Sequence, residues 1–141
     1  MPPALRSTVL LRSEDSSGHV SVVENIVPAR SAGPPLHRHD FDEAFYILEG
    51  ELVFRVGDAL LARSGGQLAF APRGAAHALV NRRDAPARYL LVCTPAGFER
   101  QFARMAAQAH GTEPPPWALQ PIPEVVLLGP SILREVLDRV E

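Results

Sequence analysis

Four residues have types and spacing that can do chemistry together: His37, His39, Glu43 and His77. On an extended strand the side chains of residues i and i+2 point to one face, so His37 and His39 aim both imidazoles at a single point. That is the metal-chelate geometry a strand offers. Glu43 keeps the same parity, yet four extended residues span about 13 Å. Asp40-Phe41-Asp42 must therefore bend or bulge if Glu43 is to share the ligand. His77 follows the breaker Pro72-Arg73-Gly74, and a sheet folded back on itself would set it opposite the first pair. His19 and His110 lack such company and read as surface or satisfied core residues.

Positioning these side chains falls to short apolar runs separated by turn residues: Thr8 to Leu11, Val20 to Val27, Phe41 to Leu48, Leu52 to Val56, Gln67 to Phe70, His77 to Val80 and Arg88 to Thr94. Spacing of about a dozen residues, with Gly, Pro, Asp and Asn between the runs, predicts an all-β sandwich or barrel and not alternating βα units. Turns fall at Glu49-Gly50, Gly57-Asp58 and Ser64-Gly65-Gly66. Strand parity places Phe41, Phe45 and Ile47 on the ligand face, which makes the expected pocket wall apolar and partly aromatic.

Beyond Pro95 the period changes. Phe98, Phe102, Met105 and Ala109 make one apolar helical stripe, Glu99, Arg100, Arg104 and Gln108 take the other face, and Gly111 is the stop. The stripe is expected to cover the outside of the barrel or a neighbouring subunit. Glu113 to Pro123 carries five prolines and reads as a stiff extended connector. A last helix is expected from Ser131, as N-cap, through Val140.

Composition narrows the classes. A chain of 141 residues with net charge −2 reads as one domain over residues 1–141, large enough to bury a core without disulfides or a structural metal. A bound metal would then serve chemistry. With 14 basic against 16 acidic residues there is no field to attract nucleic acid or anionic lipid. Every basic residue is arginine, which excludes Schiff-base lysine and pyridoxal-phosphate chemistry. Cys93, in Leu90-Leu91-Val92-Cys93, reads as a buried inert thiol. The opening Met1 to Arg6 lacks a signal-peptide stretch and no run of about 18 apolar residues appears, so a cytoplasmic location is expected. No Ser-His-Asp order, phosphate loop or nucleotide fingerprint is present.

Written as strings, residues 37 to 50 read His-x-His-x3-Glu-x6-Gly and residues 66 to 81 read Gly-x5-Pro-x-Gly-x2-His-x3-Asn, with fifteen residues between Gly50 and Gly66. Here the sequence resembles the cupins, whose two signature motifs these strings match from His37 onward. One place departs: where the first motif opens with glycine this chain has Ser31, with Gly33 nearby. The resemblance covers about residues 20 to 95. It implies a double-stranded β-helix, or jelly-roll barrel, with C-terminal helices from about residue 96 to 141 and a metal held in the barrel mouth. Carried over residue by residue, His37, His39, Glu43 and His77 become the ligands. Gly50, Gly66 and Gly74 serve turns, Pro72 pre-sets the turn before His77, and Asn81 reads as an end-of-strand hydrogen bonder. The tail, Pro95 to Phe102 and Leu128-Gly129-Pro130, looks like small bacterial cupins described as quercetin-dioxygenase-like.

Four protein ligands already fill a tetrahedron, so iron(II), manganese, nickel or copper is expected in preference to a catalytic zinc. The expected activity is that of a metal-dependent oxygenase on a small oxygen-rich aromatic or enediol substrate, with Glu43 as the base. A non-oxidative metal-dependent isomerase and a non-catalytic small-molecule or metal-binding module are the rival readings. Arg55, Arg73, Arg88 and Tyr89 read as solvated or paired with surface carboxylates in preference to contacting substrate. A homodimer is expected, because Thr8-Val9-Leu10-Leu11 as an apolar edge strand would leave unpaired backbone donors exposed.

Overall fold

The computed structural model describes residues 4–139, so the readings at residues 1–3 and at Val140 lie outside the described residues. Two five-stranded antiparallel sheets face each other. One runs in the order β1 (Arg6–Leu11), β2 (Ser21–Val27), β9 (Ala87–Thr94), β4 (Asp42–Glu49) and β7 (Leu68–Ala71). The other runs β10 (Val125–Leu127), β3 (His37–His39), β8 (His77–Val80), β5 (Glu51–Val56) and β6 (Ala59–Ser64). This is the jelly-roll barrel, and the helices are few: α1 (Glu99–His110) and α2 (Leu133–Arg139), with short 3-10 turns at Ser13–Asp15 and Pro116–Leu119.

Strict alternation builds the interior. Along β9 the side chains of Ala87, Tyr89, Leu91 and Cys93 are buried and those between are only half-buried, and β2 alternates in the same way. The inward sets pack with Phe41, Phe45, Ile47, Leu52 and Phe54 into one apolar cluster between the sheets. Each of the large aliphatic and phenylalanine side chains contributes about 1.5–3 kcal/mol through removal from water. The outer face of the second sheet is also covered, because Ile132 and Val136 at α2 pack on Val53, Ala78 and Val80. Hence β8 is buried at all four of its residues.

Strands β6 and β10 were not expected. Ala59-Leu60-Leu61-Ala62 is rich in residues without β preference, and its strand state comes from pairing along the whole of β5. β10 has three residues and extends beside His37–His39. The proline-rich stretch is not uniformly extended, since its 3-10 turn buries Ala118 and Arg104 binds the Ala118 and Gln120 carbonyls. Glu99, expected on a solvent face, is buried and accepts hydrogen bonds from the Ser13 and Gly97 amides, both at 2.6 Å. The Glu99 carboxylate thereby ties the amide that precedes α1 to the first amide of the Ser13–Asp15 turn.

The displaced glycine of the first motif also has a reason. Gly33 has φ +68° and a Cβ there would lie 1.9 Å from the Leu79 carbonyl oxygen, so the chain needs glycine at this close crossing. Ser31 instead forms an isolated antiparallel bridge with Asn81. Gly33→Ala should cost at least about 2 kcal/mol from the left-handed backbone and the forced shift of β8. Urea denaturation measures it, and a variant as stable as the parent would show that this crossing is not tight in solution.

Candidate metal centre

The bend between His39 and Glu43 is a change of sheet. β3 ends at His39 in one sheet, Asp40 and Phe41 leave the strand conformation, and β4 begins at Asp42 in the other. Both side chains thereby face the same interior point. Asp42 has a second task, because its Oδ1 accepts from the Arg73 amide at 2.8 Å and its carboxylate pairs with the Arg73 guanidinium at 3.2 Å. The Gly74 amide donates to the His39 carbonyl at 2.8 Å. These bonds pin the Pro72–Gly74 turn to the first motif, so that β8 enters with His77 directly opposite His37 in register.

The four side chains meet. One donor atom from each of His37, His39, Glu43 and His77 lies within 4.8 Å of the others, and His39, Glu43 and His77 are buried. Donors at 2.0–2.2 Å from one ion are at most about 4.4 Å apart, so the set closes on an ion with shifts of a few tenths of an ångström. His39 Nε2 and His77 Nε2 stand 2.7 and 2.8 Å from the same oxygen, Glu43 Oε1.

Protonation makes this convergence informative. His37 Nδ1 lies 2.8 Å from the Pro35 carbonyl, His39 Nδ1 3.0 Å from that of Phe41, and His77 Nδ1 2.9 Å from that of Ala75. A carbonyl only accepts, so each Nδ1 carries the hydrogen and each neutral ring turns an Nε2 lone pair inward. Lone pairs of imidazole and carboxylate repel at 2.7 Å unless a cation lies between them. That cation is a proton on the ring or a metal ion, and backbone bonds of this kind are how metal-binding imidazoles are oriented.

With protons alone, the cluster titrates as a coupled unit. Burial raises the Glu43 carboxyl, but hydrogen bonds and charge from His39 and His77 outweigh it and bring the value from 4.5 down to about 2. Burial lowers His77, but the hydrogen bond and charge of Glu43 prevail and raise it above 6.5. His37 is lowered, chiefly by burial. The other oxygen, Oε2, accepts from the Cys93 thiol at 3.7 Å, and Cys93 faces Glu43 across the β4–β9 ladder. Burial and the nearby Glu43 charge push that thiol well upward, so it stays protonated. The inert-thiol reading holds, although Cys93 touches the site.

Above the cluster is a cavity of about 420 Å³. Glu43, His37 and His77 form its polar end, and Phe45, Leu79, Tyr89 and Leu91 are among its walls. Phe98, Gln101, Phe102 and Met105 of the α1 segment also line it. Of the helix stripe, Phe98 and Phe102 pack against the core while Met105 and Ala109 are exposed, and Phe98, Phe102 and Met105 also form a wall of the cavity. Neither that wall nor Tyr89 was expected, since helical period does not say which opening a stripe covers. Of the apolar residues expected on the ligand face, Phe45 lines the cavity, Phe41 stacks on His39 with ring centroids 3.6 Å apart, and Ile47 is wholly in the core. The arginines are paired as expected: Arg55 with Glu135 at 3.1 Å and Arg88 with Glu24 at 2.7 Å. Tyr89 is buried and accepts from Asn25 Nδ2 at 3.0 Å. His19 and His110 stay outside the cluster.

Comparison with known proteins agrees with the fold. The family model described as Cupin domain matches residues 23–93. No curated protein sequence matches. Among solved structures, TT1209 from Thermus thermophilus is 29% identical, with a TM-score of 0.59 over 67% of this chain and 87% of its own. A predicted oxalate decarboxylase from Thermotoga maritima is 25% identical, with a TM-score of 0.61 over 64% and 80%. The polyketide cyclase RemF from Streptomyces resistomycificus is 24% identical, with a TM-score of 0.57 over 64% of each chain, a likeness of fold alone.

In the metal-free protein the stabilisation from Glu43 is complete above pH 4.5 and is lost as pH falls toward about 2. That from His77 is complete below 6.5 and is lost as pH rises through its raised value. Urea denaturation in chelator should therefore show a plateau between those two pH values, with an acid limb of up to about 3 kcal/mol. Glu43→Gln should flatten both limbs. A profile unchanged by that substitution would mean that the carboxylate and imidazoles do not interact as their geometry states.

Proposed function

The chain belongs to the cupin family, and from that premise we propose that it is a metal-dependent oxygenase acting on a small aromatic or enediol compound that chelates through neighbouring oxygens. The observation that carries the reading is the inward convergence of three Nε2 lone pairs and one carboxylate oxygen at the floor of an apolar cavity. When bound, an iron(II), manganese, nickel or copper ion supplies a redox-active Lewis acid with positions left beyond the four protein donors. Three neutral imidazoles and one carboxylate leave a divalent ion with one net positive charge, suited to a singly charged substrate.

The rest of the chemistry belongs to the chain. Glu43 lines the cavity, with Oε1 toward the imidazoles and Oε2 held only by the weak thiol bond from Cys93, and its carboxylate is the group that takes a hydroxyl proton from the substrate. Phe45, Leu79 and Leu91 hold an apolar ring by contact and exclude water. Phe98 and Phe102 close the cavity from α1. An oxalate dianion is a poor fit, since no arginine lines this cavity and the chain has no lysine.

Elemental analysis should find about one transition-metal ion per chain. His39→Ala and His77→Ala should lose it while keeping the circular dichroism of the barrel, because the core stands without the ion. Protein that stays metal-free after expression in supplemented medium would remove the ligand assignment, and unfolding of both variants would make the ion structural.

With each metal restored in turn, an oxygen electrode should register uptake above the metal-only blank with at least one flavonol, catechol or enediol. Glu43→Gln should keep part of the metal and lose turnover by about 10²-fold or more. Metal binding without uptake on any of the panel would replace the oxygenase reading with an isomerase or a binding module. Normal turnover by Glu43→Gln would move the base elsewhere.

A further inference from the structure

Tyr89 is a polar side chain of the cavity wall that has no part in the metal reading. It lies on the inward side of β9, is buried, and lines the cavity. A row of three polar side chains across the first sheet ends on it. Ser7 on β1 pairs with Asn25 on β2, and Asn25 pairs with Tyr89 on β9, so the three stand side by side on one face. The Ser7 hydroxyl donates to Asn25 Oδ1 at 2.5 Å, and Asn25 Nδ2 donates to the Tyr89 oxygen at 3.0 Å. These lengths fix which way the amide faces, because 2.5 Å suits O–H···O and is too short for N–H···O, whereas 3.0 Å is an ordinary N–H···O distance.

The direction of the row decides what the cavity is offered. Every bond in it donates toward Tyr89, so the phenol oxygen receives, and its own hydrogen goes to no acceptor among the described residues. Asn25 is wholly buried and Tyr89 is 4% exposed, so water does not readily supply that acceptor. A buried donor without a partner costs about 1–3 kcal/mol, and phenylalanine would fill the same wall without that cost. Burial pushes the phenol well upward, so the hydrogen stays on the oxygen in neutral solution. The row therefore presents one neutral O–H in a wall that Val27, Leu79 and Leu91 otherwise make apolar.

Phe45 relates this donor to the metal-binding end. Its ring centroid stands 6.4 Å from that of His77 and 5.8 Å from that of Tyr89. Cys93 faces Glu43 across the β4–β9 ladder, and Tyr89 is two inward positions farther along β9. The phenol thus stands beyond the metal donors along the barrel, with Phe45 as the wall they share. A ring lying on Phe45 with its chelating oxygens at the donors turns its opposite edge toward Tyr89.

We propose that Tyr89 is a specificity-determining donor, its hydroxyl binding a carbonyl oxygen carried on the edge of the aromatic substrate opposite the chelating pair. The inference rests on the metal-dependent reading of the cavity for one end of the ligand, and on the Ser7-Asn25-Tyr89 row for the other. It narrows the substrate class to catechol-like rings with an acyl group remote from the metal. A neutral carbonyl suits this place better than a carboxylate, since no arginine lines the cavity to compensate a second charge.

Two ligands of equal shape test it: 4-acetylcatechol, which carries the carbonyl, and 4-isopropylcatechol, which does not. Calorimetric titration without oxygen measures each, on protein loaded with redox-inert zinc and on protein in chelator. The acetyl group also acidifies the catechol, but equally for the parent and for Tyr89→Phe, so the change in the ratio of affinities reads the contact. That ratio should fall by about 3- to 10-fold in Tyr89→Phe, while 4-isopropylcatechol binds both proteins alike. Infrared difference spectra of 4-acetylcatechol on the parent in chelator need no variant and cover the case in which Tyr89→Phe fails to fold. The carbonyl stretch should lie below its position in an apolar solvent. An unchanged ratio in folded Tyr89→Phe overturns the proposal, as does a carbonyl stretch at the apolar-solvent position. So does the absence of binding by either ligand to either form of the parent at millimolar concentration. The oxygenase reading fails separately: a Tyr89-dependent preference for the acetyl compound in protein that takes up no metal would uphold this contact and remove the oxygenase.

Discussion

Three imidazole lone pairs and a carboxylate oxygen cannot share one point in a dry interior without a cation, and this electrostatic demand organises the centre of the molecule. The protein meets it from two sheets. His37 and His39 lie on β3 and His77 on β8 of one sheet, and Glu43 lies on β4 of the other. A cation at that point therefore ties the two layers together, and its absence leaves protons to do the same work. The raised His77 and lowered Glu43 values are the proton version of this tie.

Much of this was legible in the sequence because it depends on local geometry. The parity of His37 and His39, the need for a bend at Asp40-Phe41-Asp42 and the breaker before His77 all follow from extended-chain dimensions and turn chemistry. The outcome of the bend was less accessible. Parity says that the chain must turn, and only the tertiary fold says that it turns into another sheet. The same limit hid β6, whose alanines and leucines have no strand preference and which exists because β5 presents a ladder to it. Glu99 was misplaced for a related reason: helical periodicity assigned it to solvent, while a long-range bond to the Ser13 amide holds it inside. Long-range pairing is the information that a single sequence carries least visibly.

The cavity shows how the same features can be read twice. Phe98, Phe102 and Met105 have the spacing of any helix that covers a core, and the two phenylalanines do pack on it. What gives them a bearing on substrate is that the part of the barrel they cover is the part into which Glu43 and His77 open. Their apolar character, with arginines held in ion pairs with surface carboxylates, leaves the metal-binding end as the concentration of charge within the cavity. On the proposed reading, selectivity rests on shape and on the few atoms that meet the polar end. A substrate with more than one negative charge would have to leave water without a compensating cation, a cost of several kcal/mol.

Orientation of the ligands is secured without any ion. Each ring is held through Nδ1 by a carbonyl two residues away: Pro35 before His37, Phe41 after His39, Ala75 before His77. The segments that supply those carbonyls are the ones shaped by proline and by the Asp42–Arg73 clamp, so the tautomers are set by the same local turns that bring the strands into register. The polypeptide accordingly uses part of its folding energy to aim unshared electron pairs at one another. Such an arrangement persists only when the surrounding barrel over-determines it, and the fully buried Phe54, Leu52 and Val80 close to β8 provide that constraint. A barrel that holds its donors in place in advance would lose little conformational entropy on taking up an ion, which is the advantage of building a four-donor set on three strands of two sheets.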